Sequence, residues 1–428
     1  MSTIAILTLG TFGLMLIGLP IAFAIIGASA LTLMFVGHIS LMVIPQNLFI
    51  GLDSFSLLAI PFFVLAGSLM SAGGITQRLL DLANALLGRF RGGLAMSSVL
   101  SSALFAGISG SAVADTSALG RILIPAMKES GYPARFASGI VASANVMAPI
   151  IPPSIPFIVV STLTGQSVIT LFLAGILPGL FYMCALFGLA AWISHRRQYP
   201  LQGRSSGHEI WVAFYRAAAG LALPVLIVGG IRSGIFNITE AAVVAALYAL
   251  LVGTLVYRRI TLPVLGRSLA SAARTTALIM IIVAAARLLG WLMAYTGIPA
   301  IISDFVITNI DNPLVFLLFV NVLLLVVGMF IETNAALVML IPVLYPIAMK
   351  LGVNPTHFSV IVVVNLCIGL ITPPAGLCLN ISSVLAKIGL EEGTRGVLPF
   401  LLTAIATLIA LTLFPQITLL LPELLGGS

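Results

Sequence analysis

Apolar residues run through this chain in long blocks, near positions 4–18, 20–36, 55–72, 93–108, 112–127, 136–165, 169–193, 212–231, 238–257, 275–295, 313–330, 334–349, 358–386 and 397–421. Apolar and polar residues do not alternate with a period of two within the blocks, which argues against an outer-membrane barrel. A helix needs about 20 largely apolar residues to cross about 30 Å of hydrocarbon, so the blocks predict roughly ten to twelve crossings or part-crossings. Gly18-Leu19-Pro20 separates the first two. Met1-Ser2-Thr3 carries no basic region and no cleavage signature, so block 4–18 reads as a membrane helix, not a removable signal.

The polar interruptions are more informative than the blocks. Segments 93–108 and 112–127 lie too close together, across too polar a junction, for two independent spans. They predict a re-entrant hairpin whose tip holds Ser109, Gly110 and Ser111. Segments 313–330 and 334–349 predict a second hairpin, with Glu332, Thr333 and Asn334 at its tip. Each hairpin is followed by an apolar run broken by Pro-Pro: 136–165 at Pro152-Pro153 and 358–386 at Pro373-Pro374. The offset that carries Pro152 to Pro373 also carries Gly107 to Gly328, Pro125 to Pro346 and Gly131 to Gly352. Broken apolar segments at matching places of two halves mark the midplane site of a secondary transporter. The halves are 1–214 and 215–428, each with scaffold helices, a hairpin and a broken helix. The stretches 40–56 and 258–274 hold comparable places as interfacial arms or plain loops.

Charge supplies orientation. Basic loops at His195-Arg196-Arg197 through Arg204 and Arg216, and at Arg258-Arg259 through Arg267 and Arg274, are separated by two apolar segments and so face one side, the cytoplasm. The first hairpin's open end carries Arg89, Arg91, Lys128 and Arg135 against Glu129; the second carries Asp304 and Asp311 against Lys350. That asymmetry predicts that the two repeats are inverted.

Composition agrees. The chain is 60% hydrophobic and 7% charged, with a mean hydropathy of +1.22. A soluble domain carries about a quarter charged residues, so this is an all-α polytopic membrane protein. The net charge of +7 follows from the basic loops and does not point to nucleic acid. Cys184, Cys367 and Cys378 lack metal-ligand spacing and read as small buried hydrophobes.

Pro-Pro inside an apolar run removes two amide donors and frees upstream carbonyls. An unsatisfied backbone group in hydrocarbon costs several kcal/mol, so each break must face protein, water or an ion. The freed carbonyls and nearby side-chain oxygens suit Na⁺. The sodium-binding candidates are Ser109, Gly110, Ser111, Asn145, Pro149 and Pro152 in the first half. In the second half they are Thr333, Asn334, Gly369, Thr372, Pro373 and Gly376. Substrate-binding candidates are Ser111, Asn145, Pro153, Ser154, Glu332, Pro374 and Arg287. An ionisable group within the membrane is a functional candidate by default. Asp115 reads first as first-turn dipole stabilisation, with ion binding as its other role. Glu332 reads as functional, Arg287 as an anion attractor or a snorkelling side chain, and Glu240 as part of a helix N-terminus. No HExxH, GxSxG or Walker A sequence is present, so neither catalysis nor ATP hydrolysis is expected, and no organic cofactor or transition metal. An ion gradient would supply about 2.3 kcal/mol per charge per 100 mV.

Six segments together carry a family likeness. They are Leu57-Leu58-Ala59-Ile60-Pro61-Phe62-Phe63-Val64-Leu65-Ala66-Gly67, Gly107 through Thr116, Ile151-Pro152-Pro153-Ser154-Ile155, Ala174-Gly175-Ile176-Leu177-Pro178-Gly179, Thr239-Glu240-Ala241-Ala242 and Ile371-Thr372-Pro373-Pro374-Ala375-Gly376. In this order the chain resembles, over nearly its whole length, the large (M) membrane subunit of tripartite ATP-independent periplasmic (TRAP) transporters. The resemblance implies a Na⁺-coupled importer in the inner membrane of a bacterium or archaeon, working by an elevator movement. It also implies a separate small four-helix membrane subunit and a periplasmic substrate-binding protein as partners. The implied substrates are organic acids such as C4-dicarboxylates, sialic acid and other sugar acids. The hairpin tips and Pro-Pro breaks fall where the family places its Na⁺ and substrate contacts; Arg287 matches no family motif. The alternatives are a stand-alone Na⁺/carboxylate symporter, an anion exporter, a channel, or an intramembrane enzyme using Asp115 or Glu332.

Overall fold

A computed structural model describes the chain except residues 1, 202, 204, 299, 300, 302, 303, 305, 307, 309, 311, 427 and 428. Arg204 and Asp311, both used above to argue orientation, lie outside the described residues. Among the described residues there are helices and no strands, and seven helices are long and apolar enough to cross a membrane. Blocks 20–36, 93–108, 313–330 and 358–386 form shorter apolar helices.

The first five helices are α1 (Ser2–Leu16), α2 (Ile21–Val36), α3 (Val43–Leu52), α4 (Ala59–Ala72) and α5 (Ile75–Leu87). The first hairpin is α6 (Gly93–Ser109) with α7 (Ala112–Glu129), and the first broken helix is α8 (Ala134–Asn145) with α9 (Ile155–Thr164). Then come α10 (Val168–Arg196), α11 (Gly207–Arg232), α12 (Ile238–Leu251) and α13 (Leu262–Thr296). The second hairpin is α14 (Pro313–Gly328) with α15 (Thr333–Lys350), and the second broken helix is α16 (Pro355–Gly369) with α17 (Leu377–Ala386). The last two helices are α18 (Leu390–Leu413) and α19 (Gln416–Leu421).

Helices α2, α3, α4, α12 and α13 pack on one another, and the hairpins, broken helices, α10 and α18 form a second packed group, with α5 bridging to α6 and α11. The broken helices occupy the centre. Every residue from Phe136 to Asn145 and from His357 to Gly369 is buried. At about 1.5 Å per residue neither α8 nor α16 spans the hydrocarbon. Their C-terminal ends therefore terminate inside protein, where their backbone groups can be satisfied. Helix α14 instead exposes Leu314, Val315, Leu318, Phe319, Val322 and Val326, a face suited to lipid.

Two segments differ from the sequence reading. Residues 262–274 are not a separate arm: no Gly or Pro lies between Gly266 and Gly290, so the helix continues unbroken to Thr296. The first arm stays separate because its helix stops at Asp53 and restarts beyond it. The second difference is α5, which falls between the apolar blocks 55–72 and 93–108. It buries Ile75, Thr76, Leu79, Leu80, Leu82 and Ala83, one stripe at helical spacing, so its content is amphipathic and not uniformly apolar. Cys367 and Cys378 are buried as the sequence suggests, but Cys184 is not: it lies on an exposed face of α10. Glu240 does sit at a helix start: its carboxylate accepts from the Asn237 amide at 2.9 Å, while the Asn237 side chain accepts from the Glu240 amide at 2.9 Å.

Candidate functional site

The first tip is built on Gly110, whose φ of +64° ends α6 in the left-handed region. A Cβ there would also lie 2.9 Å from the Pro153 carbonyl oxygen, so the tip presses its backbone onto the break of its own half. Ser111 starts α7 and accepts from the Ala114 amide at 3.4 Å. Ser109 donates to Asp115 Oδ1 and accepts from the Ser111 amide at 3.2 Å. Across the break, Ser154 caps α9, accepting from the Phe157 amide at 3.3 Å and donating to the Pro149 carbonyl at 2.5 Å. The Pro152-Pro153 and Pro373-Pro374 peptide bonds are both cis.

The second tip uses a carboxylate where the first uses a hydroxyl. Glu332 caps α15, with Oε2 accepting from the amides of Asn334 at 2.9 Å and Ala335 at 3.2 Å. Its Oε1 accepts from Asn334 Nδ2 at 2.9 Å. A capping role thus occupies both oxygens of Glu332. Gly328 and Gly369 cross backbone to backbone, since a Cβ on Gly369 would lie 2.5 Å from the Gly328 carbonyl carbon. In the break, the Thr372 hydroxyl donates to the Ile368 carbonyl at 3.0 Å, and Gly376 donates its amide to the Thr372 carbonyl at 3.1 Å.

Both tips open on one cavity of about 910 Å³. Ser109, Gly110, Ser111, Pro149, Glu332, Thr333 and Asn334 line it, together with Asp115. The opposite wall comes from α4 (Val64, Gly67, Ser68, Ser71) and α13 (Ser271, Thr275, Leu278, Ile279, Ile282). Asn145, Pro152, Pro153, Ser154, Gly369, Thr372, Pro373, Pro374 and Gly376 stand behind this lining, in or beside the breaks. Arg287 is not brought to the cavity. It is exposed on α13, with its Cβ against Gly51 of α3, because its position points away from the stripe that holds Ser271, Thr275 and Ile282.

The chemistry of the walls is oxygen-rich and short of cations. Among the described residues, Asp115 and Glu332 are the ionisable side chains lining the cavity. Buried oxygens without a hydrogen-bond partner include Asp115 Oδ2 and Asn334 Oδ1 on residues of the lining, and Ser143 Oγ, Asn145 Oδ1 and Asn365 Oδ1 on the broken helices. Thr333 Oγ1 has the Cys367 thiol beside it. A buried polar group left unmatched costs about 1–3 kcal/mol, so each of these oxygens calls for a partner such as a cation or water. Among the described residues no group of three or more His, Cys, Asp or Glu could hold a metal ion.

Asn365 escapes the sequence reading. It stands one position short of the place to which the offset between the Pro-Pro breaks would carry Asn145. The signal that finds it is an amide inside the apolar run 358–371.

Residues 8–417 match the family described as the tripartite ATP-independent periplasmic transporter, DctM component. The chain belongs to this family. Among curated DctM-type proteins it is 41% identical to the 2,3-diketo-L-gulonate TRAP transporter large permease protein YiaN of Escherichia coli, over 94% of this chain and 95% of that protein. It is 40% identical to the sialic acid TRAP transporter large permease protein SiaM of Vibrio cholerae, over 98% of each. It is 42% identical to the C4-dicarboxylate TRAP transporter large permease protein DctM of Pseudomonas aeruginosa, over 94% of each. Among solved structures, the YdaH transporter of Alcanivorax borkumensis has a similar fold, with a TM-score of 0.57 at 14% identity, covering 86% of this chain and 87% of that one.

Proposed function

We propose that this DctM-family chain is the permease through which a bacterium imports an organic acid across its inner membrane, driven by Na⁺. Relatives named for a sugar acid, for sialic acid and for C4-dicarboxylates support the substrate class. Family membership supports the two partners, a small four-helix membrane subunit and a periplasmic binding protein that delivers the substrate. No catalytic step is assigned: the cargo crosses unchanged.

The single observation that carries Na⁺ coupling is electrostatic. Both hairpin tips converge on a cavity whose ionisable groups are carboxyls, Asp115 and Glu332. An organic anion entering alone meets like charge in a weakly screened space. Cations held by the unpaired oxygens behind the tips would reverse that potential, so the anion binds well only when Na⁺ is present. Helices α7, α9, α15 and α17 start at the tips and breaks, and their N-terminal dipoles add positive potential. In this reading Ser109, Gly110, Ser111, Asn145, Pro149 and Pro152 serve one Na⁺ site. Thr333, Asn334, Gly369, Thr372, Pro373 and Gly376 serve the other. Ser111 and Glu332 border the anion, with Pro153, Ser154 and Pro374 behind them at the breaks.

Residues 1–214 and 215–428 are read as two repeats inserted with opposite orientation. Helices α7 and α15 begin at Ala112 and Thr333, positions related by the same offset as the Pro-Pro breaks, which supports the correspondence. Links between the halves, such as the hydrogen bond from Ser138 to Ser382 at 3.0 Å, tie both tips into one body. That body slides against α4 and α13 as an elevator. Uptake by the three-component transporter in proteoliposomes tests the proposal: substrate should accumulate with an inward Na⁺ gradient and not with K⁺. Equal uptake in both would end the coupling claim, and uptake by this chain alone would favour a stand-alone symporter.

A further inference from the structure

Asn365 is wholly buried and held by an oriented hydrogen-bond chain through three helices. The chain starts at Thr412 of α18, whose hydroxyl donates its one hydrogen to the Leu408 carbonyl at 2.8 Å. That hydroxyl can then only accept, and it accepts from Asn321 Nδ2 of α14 at 2.9 Å. Asn321 is left presenting two acceptors to α16: its Oδ1 and its backbone carbonyl receive Asn365 Nδ2 at 2.9 and 3.0 Å. Turning the Asn365 amide over would set its oxygen against two oxygens. The chain of donors therefore fixes which way Asn365 points, and its Oδ1 is left unpaired in the interior. Asn145 shows the same outcome by a shorter route, donating Nδ2 to the Val141 carbonyl at 2.9 Å and leaving Oδ1 unpaired. Both amides sit in the last turns before a Pro-Pro break.

We infer that Asn365 Oδ1 is a ligand of a coupling cation in the second half, and that Asn321 and Thr412 are positioning residues that aim it. This rests on the Na⁺ reading above and adds to it a ligand and a supporting layer. Groups that orient a metal ligand through hydrogen bonds commonly change affinity by about 10–100-fold when removed. The hydrogen-bond chain also makes the cation site sensitive to α18, because Thr412 anchors it from outside the hairpin and the break.

The experiment measures Na⁺ half-saturation of substrate uptake by the complete transporter in proteoliposomes, together with Na⁺-induced thermal stabilisation of the purified chain against a K⁺ control. Thr412→Val keeps the shape but removes the acceptor and should raise half-saturation about tenfold; Thr412→Ser keeps the hydroxyl and should restore the wild-type value. Asn365→Leu should abolish the larger part of the Na⁺-induced stabilisation. If wild-type uptake ignores Na⁺, the coupling proposal itself fails. If the wild type needs Na⁺ but Thr412→Val and Asn365→Leu leave half-saturation and stabilisation unchanged, Asn365 binds water or nothing, and only this inference falls. Should Asn365→Leu not fold, the Thr412→Val and Thr412→Ser pair still decides between the outcomes.

Discussion

Lys128 Nζ donates to the Ala386 carbonyl at 2.9 Å, joining the end of the first hairpin to the end of the second broken helix. The lysine lies in the last turn of α7, and Ala386 is the last residue of α17, so one cation serves the carbonyl ends of two helices. With Ser138 and Ser382 it couples parts of the chain that are distant in sequence into a single body. Lys128→Ala should lower the melting temperature in detergent, and Lys128→Arg should largely preserve it. Ser138→Ala should cost about 1 kcal/mol, the net worth of a hydrogen bond. A double mutant at 138 and 382 should lose less than the sum of the singles, because both remove the same bond.

Glycine sets how closely hairpin and break approach. Gly369→Ala places a methyl 2.5 Å from the backbone of Gly328, where no side chain can rotate away. The overpacking should cost about 1–3 kcal/mol and displace the second tip. Uptake should fall steeply while the protein still inserts into the membrane. Gly110→Ala combines a φ of +64° with a close approach to the Pro153 carbonyl and should impair the first tip in the same way. Wild-type uptake rates in either variant would show that the tips tolerate displacement.

How much of this is legible in the sequence follows from how each element punctuates the chain. The tips and breaks are readable because Gly110, Ser111, Glu332 and the Pro-Pro pairs are strong backbone signals set in apolar surroundings. Helix α15 starts at Thr333, where the offset between the Pro-Pro breaks carries the start of α7 at Ala112. Helix α5 is hidden because a scan for uniformly apolar blocks passes over an amphipathic stripe. The continuity of α13 is hidden because charges at Arg267 and Arg274 resemble a loop in composition, while nothing in the backbone interrupts the helix. Charge alone draws Arg287 to the site; its helical phase, which a single long helix fixes, turns it elsewhere. Asn365 is masked because it stands one position short of the place that the offset between the Pro-Pro breaks assigns to Asn145.

Arg287 gives a prediction of no effect. Its exposed position beside Gly51 places it outside the cavity wall. Arg287→Gln should leave substrate half-saturation unchanged and should reduce, at most, the amount of assembled protein. A raised half-saturation with normal expression would mean that the guanidinium reaches the anion in another state of the transport cycle.

Asn145 provides the direct test of the proposed first ion site, because one substitution removes both amide ends and another removes Nδ2 alone. The Nδ2 group is matched by the Val141 carbonyl, and Oδ1 is buried without a partner. Asn145→Leu removes the oxygen and fills similar space. If Oδ1 meets a cation, the loss should raise Na⁺ half-saturation by roughly tenfold or more, at about 1.4 kcal/mol per decade. Substrate binding measured at saturating Na⁺ should change far less. Asn145→Asp keeps an oxygen at the position and adds charge; it should hold Na⁺ at least as tightly as the wild type while raising the repulsion toward the anion. The opposing shifts in the two half-saturations separate an ion ligand from a packing residue, for which Leu and Asp would both weaken transport without changing its Na⁺ dependence.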